Sequence, residues 1–260
     1  MKKIIYLLMS LSFVAFVSCS DDKEKTSSKG GSSVYKSGTQ DGHDYVDLGL
    51  PSGTKWATCN VGATKPEEVG NFYAWGEVEP KDNYDWSTYK HSITHGIYKY
   101  EASVTKYKIG YNEDNKRVLD LEDDAAYVNW GGKWRMPTKT QLEELVSQCY
   151  TVVDWNYKGT KILGCIFYKA KSPEDKGVMA RYSSEVSSSY SYADAHIFLP
   201  HPRRNNNKAS GDVERCYWSS SLEEDYSKNY TCAWALLVED SRCVLYRSRA
   251  SGCPIRPVFK

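Results

Sequence analysis

The sequence predicts an α+β domain of short antiparallel strands, a well-marked helix and long loops, behind an export segment. Three observations lead there. The 260 residues hold 21 Tyr and 8 Trp but only 6 Phe, and Tyr, Trp, Val and Thr favour pleated, half-exposed surfaces. Apolar alternation recurs in short pieces broken by Gly, Pro, Asn and Ser, the mark of many short strands. One stretch alone shows clear helical apolar spacing. Charge is nearly balanced, with 34 Lys+Arg against 33 Asp+Glu, a net charge of +1 and a pI near 7.5. That balance gives no electrostatic case for a nucleic-acid partner or an anionic membrane surface. At 40% hydrophobic the chain can bury a core, and its length allows one elaborated domain or two small ones.

The elements follow in order. Lys2 and Lys3 precede an apolar run from Ile4 to Val17, too short to span a bilayer and suited to a signal peptide over 1–18. Phe16-Val17-Ser18-Cys19 resembles a bacterial lipobox, with Phe16 where Leu is usual. The resemblance implies that Cys19 is lipidated and begins the mature chain. Acyl chains contribute roughly 0.8 kcal/mol per buried CH₂, so several of them anchor stably. Ser20-Asp21-Asp22-Lys23-Glu24 is similar to the acidic export tag of Bacteroidota surface lipoproteins, and reads equally as a solvated charge run. The expectation is an outer membrane lipoprotein exposed at the cell surface, touching the membrane through its anchor only. Residues 19–40, rich in Ser, Lys, Gly and Asp, read as a flexible tether, and 41–260 as the folded domain.

Tyr45–Leu48 and Thr54–Val61 alternate about the turn residues Gly49-Leu50-Pro51-Ser52-Gly53, predicting a hairpin. Residues 77–130 show no clear period and read as loops with minor strands. Leu142, Leu145 and Val146 form an apolar stripe behind Thr138 and Gln141, which fit a capping box, so a helix is predicted over Lys139–Gln148. Tyr150–Trp155 and Thr160–Tyr168 flank Asn156–Gly159 as a second hairpin. Residues 169–195 read as a loop, and 201–215 as a basic polar loop. Short strands are expected at His196–Pro200, Tyr217–Ser221, Thr231–Val238, Cys243–Tyr246 and Ile255–Phe259.

Six ordered fragments carry a family resemblance: Tyr45–Leu50, Lys55–Ala63, Tyr73–Glu77, Trp134–Thr138, Tyr217–Ser221 and Ile255–Val258. They resemble the Fibrobacter-type major paralogous domain found in many Bacteroidota lipoproteins, over about 45–260 with long insertions. That family is similar to the C-type-lectin-like, or formylglycine-generating-enzyme-like, fold. The resemblance implies one or two helices packed on small antiparallel sheets, with the two chain ends paired. Read as residues alone, Trp56, Trp75, Trp134 and Trp218 beside Gly or small residues suggest core aromatics. Arg135 and Arg256, flanking apolar strands, suit bidentate pairs under the loops.

Catalytic and metal chemistry find little support. No Gly-x-Ser-x-Gly elbow is present. The oxidase relatives of the fold use a closely spaced Cys pair, and Cys243 and Cys253 are too far apart to carry that role. No catalytic residue, metal or cofactor is assigned, and no enzyme is expected. His91 and His95 have helical ligand spacing, with Glu101 after them, but the residues between do not favour a helix. Glu79-Pro80-Lys81 only grazes the Glu-Pro-Asn pattern of sugar-binding lectins. Asp120, Glu122, Asp123 and Asp124 read as a charged turn before a calcium site. Removing Cys19 from the 8 cysteines leaves 7: Cys59, Cys149, Cys165, Cys216, Cys232, Cys243 and Cys253. In an exported protein, two or three disulfides are expected, with Cys59–Cys149 one candidate and at least one thiol left over.

Residues 216–257 also resemble the variable region of proteins diversified by retroelements, in which adenine-specific mutagenesis rewrites chosen codons on a lectin-like scaffold. Trp218–Ser221, Trp234 and Arg256–Val258 would be scaffold. The irregular mixture between them, including Cys232, Arg242, Cys243, Leu245, Tyr246 and Arg247, would vary. Alternate strand residues point outward, and Tyr, Ser and Asn suit adaptable binding surfaces. The expected function is therefore a tethered binding module. Its ligand face uses Tyr230, Arg242, Tyr246, Arg247 and Arg249, and its partner is an extracellular protein or glycan. The alternatives are a structural envelope or fimbria-associated subunit, and a formylglycine-generating-type oxidase.

Overall fold

The computed structural model describes residues 35–91, 116–154, 156–182, 184–202, 210–211, 215–223, 231–238 and 242–260. Two units make up the chain, Met1–Ser32 and Ser33–Lys260, and every described residue belongs to the second. The signal peptide, Cys19 and most of the tether lie outside the described residues.

Thirteen described strands and two α-helices appear in chain order. They are β1 (Gly38–Gln40), β2 (His43–Val46), β3 (Lys55–Ala57), β4 (Asn83–Tyr84), α1 (Ala125–Trp130), α2 (Lys139–Gln148), β5 (Cys149–Asp154), β6 (Gly164–Lys169), β7 (Met179–Ala180), β8 (His196–Pro200), β9 (Ser210–Gly211), β10 (Cys216–Leu222), β11 (Cys232–Val238), β12 (Arg242–Ser248) and β13 (Val258–Phe259). The architecture is α+β. The main sheets have the orders β1-β2-β3-β13, β7-β5-β6-β8 and β10-β11-β12, and β4 pairs with β9. Pairing is antiparallel except for β4 with β9 and β5 with β7.

The first sheet joins the early hairpin to the last strand: Val46 faces Trp56, and Trp56 faces Val258. Its first strand starts at Gly38, so the ordered domain begins inside the segment expected as tether. The cause is local. Asp41 and Gly42, both at positive φ, close a two-residue turn between Gln40 and His43, the geometry that Asp-Gly favours between twisted strands. Tyr35 then packs on the core that holds Val46 and Trp56.

Helix α2 spans the predicted residues. Thr138 Oγ1 accepts from the Gln141 amide, and Gln141 Oε1 accepts from the Thr138 amide at 2.9 Å. Two otherwise orphaned donors are thereby satisfied. Leu142 and Leu145 are buried, each stabilising by roughly 1.5–3 kcal/mol, against Val46, Trp56, Phe167, Ile197 and Leu236. Helix α1, unlike α2, falls in a stretch expected to be loop. Asp124 caps it by accepting from Tyr127 N at 3.0 Å, and Gly131 ends it at positive φ. Six residues are too few for apolar periodicity to register. Strand β7 likewise lies within the expected 169–195 loop; at two residues it leaves no alternation to read.

The four tryptophans expected in the core are all fully buried. Trp75 Nε1 donates to Ser219 O and Trp218 Nε1 to Tyr73 O, both at 2.8 Å. Those reciprocal bonds tie the 73–77 segment to β10. Arg256 is 1% exposed and donates to Asn60 Oδ1 and to the carbonyls of Ala57, Thr58 and Phe198. Arg135 donates to the carbonyls of Gly132 and Trp134. Among the described residues neither guanidinium meets a carboxylate, so the expected bidentate pairs are replaced by bonds to backbone. Tight turns and strand ends leave unused carbonyls under the loops, and a planar five-donor group satisfies them.

Candidate ligand-binding face

The expected ligand face lies on the β10-β11-β12 sheet, where β12 is an edge strand. Strand β11 pairs with β12 along its whole length, from Cys232 opposite Ser248 to Val238 opposite Arg242. Side chains therefore divide by period two. Trp234, Leu236 and Val238 share one face with Tyr246, Val244 and Arg242. Ala233, Ala235 and Leu237 share the other with Arg247, Leu245 and Cys243. The cores agree with this division: Leu236, Val238 and Val244 pack in the cluster that holds α2, and Ala233, Ala235, Leu237 and Leu245 in the cluster around Trp75 and Trp218.

This geometry corrects the expected face. Tyr246 and Arg247, adjacent in sequence, point to opposite sides of β12. Tyr246 is 39% exposed, and Arg247 is half-buried with Nη1 3.2 Å from Tyr246 O. Arg242 shares the Tyr246 face but leans inward. It is half-buried, Nη2 donates to Gly177 O, and burial lowers its pKa. Arg249 is not on a surface at all. It is 4% exposed, its Nε donates to Tyr89 Oη at 2.9 Å, and its guanidinium lies 5.0 Å over the Trp75 ring. It has left the strand's alternation, because Trp75 N donates to Arg249 O and the chain turns there. Tyr230 lies outside the described residues.

Two residues join Tyr246 that the sequence did not nominate. Trp234 meets it edge-on, with ring centroids 6.2 Å apart. Lys139, the first residue of α2, places Nζ 3.6 Å from the centroid of Trp234, close enough for a cation–π contact. The Lys139 amide donates to Ser221 Oγ at 3.0 Å, fixing the helix start against β10. The result is an aromatic pair with a cation on one side and Arg242 farther along the same face. Trp234 follows from the period of β11; Lys139 arrives from a distant helix, and no local pattern marks it.

The other candidate chemistries take structural places. Burial lowers the pKa of His91, and its Nε2 lies 2.9 Å from Gly76 O. His95 and Glu101 lie outside the described residues. Oxygens of Asp120, Glu122 and Asp123 come within 4.8 Å of one another. Lys116 pairs with Asp120 and Lys90 with Asp123, and Asp124 is the cap of α1. Glu79 is not part of that group.

None of the seven cysteines forms a disulfide, which corrects the expected two or three bridges and the Cys59–Cys149 candidate. Cys59 follows β3 beside Thr58, with Sγ 3.6 Å from Thr58 Oγ1. Cys149 opens β5 inside the α2 core, where burial raises its pKa to about 12. Cys243 is exposed on β12, while Cys253 is buried and bridged by backbone to Tyr73. Among the described residues, no helix is long and apolar enough to cross a membrane. No family model, curated protein or solved structure matches the chain.

Proposed function

We propose that this chain is a binding module of the major paralogous domain type, held on a C-type-lectin-like frame and tethered to the outer membrane through lipidated Cys19. Its partner is an extracellular protein or glycan. The burial gradient across the last sheet supports this reading. Strand β10 is almost wholly buried, β11 mixes buried and half-buried residues, and every residue of β12 is half-buried or exposed. A sheet that ends in a half-exposed strand of Tyr, Arg, Leu and Cys offers contact area whose replacement spares the core. Pairing of β13 with β3, which joins the two ends of the domain, and a single ten-residue helix laid across the sheets suit the lectin-like frame.

The ligand face on this reading is Trp234, Tyr246, Lys139 and Arg242 on one side of β12, with Arg247 on the other. Aromatic rings supply rigid contact area and the cations supply direction. The test is a glycan array and a panel of surface proteins probed with the intact protein and with Tyr246→Ala/Arg247→Ala. Loss of a captured ligand with an unchanged melting temperature is expected; undiminished capture would overturn the face. Retroelement diversification of 216–257 is a separate part of the proposal, favoured by the irregular side chains of β12. A reverse transcriptase gene beside a near-copy of these codons is the expected finding.

A further inference from the structure

A cavity lies on another side of the start of α2. It opens between the 118–124 segment, the helix start and β13, and its volume of about 340 Å³ is near the lower end of the range of small-molecule pockets. Val118, Leu121, Met136 and Phe259 give it an apolar wall, and Lys133, Arg135 and Lys260 bring positive charge. Ser220 of β10 also lines it, and none of Lys139, Trp234, Arg242 and Tyr246 does, so its lining is distinct from the face described above.

The lining side chains set Lys133, Arg135 and Lys260 against the one carboxylate of Asp124. Asp124 lines the cavity, but its carboxylate accepts from the amides of Tyr127 and Met136, at 3.0 and 2.9 Å. The helix start is closed as well, since Thr138 and Gln141 cap each other. Asp41 accepts from the backbone amide of Lys133, at 2.9 Å. Among the described residues, the Lys133 ammonium makes no ion pair or hydrogen bond. Arg135 spends Nη1 on two carbonyls and rests 4.3 Å over the Tyr127 ring, and no carboxylate pairs with it. Lys133 and Arg135 thus stand at an apolar wall, each with donors to spare, and Lys260 adds a third cation to the lining. A carboxylate meeting such groups forms charge-assisted bonds, which are about twice as strong as neutral ones.

We propose that this cavity binds a small molecule bearing one carboxylate on an apolar body, the carboxylate meeting Lys133 and Arg135 and the body lying on Val118, Leu121, Met136 and Phe259. The neutral analogue of the same shape should fill the wall and leave the cations unanswered.

The experiment titrates the intact protein with 3-phenylpropionate and, separately, with 3-phenylpropan-1-ol, by calorimetry and thermal shift. The acid is expected to bind and raise the melting temperature, and the alcohol to bind at least tenfold more weakly. Lys133→Gln with Arg135→Gln should erase that preference and leave the alcohol's affinity unchanged. Lys133→Gln alone, at an exposed side chain, should reduce it in part and serves if the double variant fails to fold. Leu121→Trp, filling the mouth from an exposed position, should weaken both ligands. Absence of binding by the acid, equal affinity for acid and alcohol, or a preference that survives Lys133→Gln undiminished would overturn the proposal.

Discussion

Strands β6 and β12 are both single strands of small sheets, but their surroundings are opposite. In β6 every residue but the last is buried, because α2 and the N-terminal sheet cover one face and a layer of aromatic side chains covers the other. Tyr157 stacks on Phe198 with centroids 4.0 Å apart, and Tyr150 on Tyr190 at 4.3 Å. In β12 no residue is fully buried. The two regions differ less in composition than in what lies over them. Substitution should be costly in the first and cheap in the second, and that contrast is what a presenting surface on a stable frame requires.

The largest expected effect comes from the buried guanidinium that ties β8 to the first sheet. Arg256→Met should cost about 5 kcal/mol in urea unfolding, since it strands several buried acceptors at once; a loss under about 1 kcal/mol would show that water replaces the side chain. Phe167→Ala, in the centre of β6, should cost about 3–5 kcal/mol by the same measurement. A comparable cost at Tyr246→Ala would erase the contrast between the regions.

A pH effect of middle size should reside in the closed region. His196 accepts from Tyr157 Oη through Nε2 and donates from Nδ1 to Asp194 O, at 2.9 and 2.8 Å. Burial holds its pKa below the ordinary 6.5. The unfolded chain therefore takes up the proton first. Stability is full above about 6.5 and falls as the pH drops below it. Melting temperatures measured from pH 7.5 to 5 should show this fall, with a shallower slope in His196→Gln; parallel slopes would assign the loss to His43 and His91, whose pKa values burial also lowers. The smallest effect belongs to β12. Tyr246→Ala and Arg247→Ala should each change stability by less than about 1 kcal/mol, read as a denaturation midpoint with unchanged slope.

The same contrast explains what could be read from the sequence. Helix α2 was legible because its cap and its stripe are both local: Thr138, Gln141, Leu142 and Leu145 state it within one short window. Strands β8, β10, β11 and β12 were legible from apolar runs, whereas β9 falls in the stretch expected as a basic polar loop. Strand β1 carried a readable signal in Asp41-Gly42 that composition obscured, since its neighbours resemble a tether. Helix α1 was bounded by Asp124 and Gly131 but lacked the length for a period. At the candidate face, sequence alone could nominate Tyr246, yet it could not place Arg247 on the opposite side or Arg249 inside without the register of β11 against β12. The partnership of Lys139 with Trp234, and the cavity beside Arg135, join segments far apart in the chain, where no spacing argument reaches.

The pairing of Val258 with Trp56 also governs how the molecule must assemble. Its partners lie about 200 residues apart, and contacts of that separation slow folding because loop closure precedes any reward. A chain emerging from the ribosome holds its first hairpin, with Trp56 and the apolar side of Val46 exposed, until the final strand is made. Deleting the last three residues, which removes the strand that pairs with Trp56, should leave a species prone to aggregate rather than a trimmed native fold.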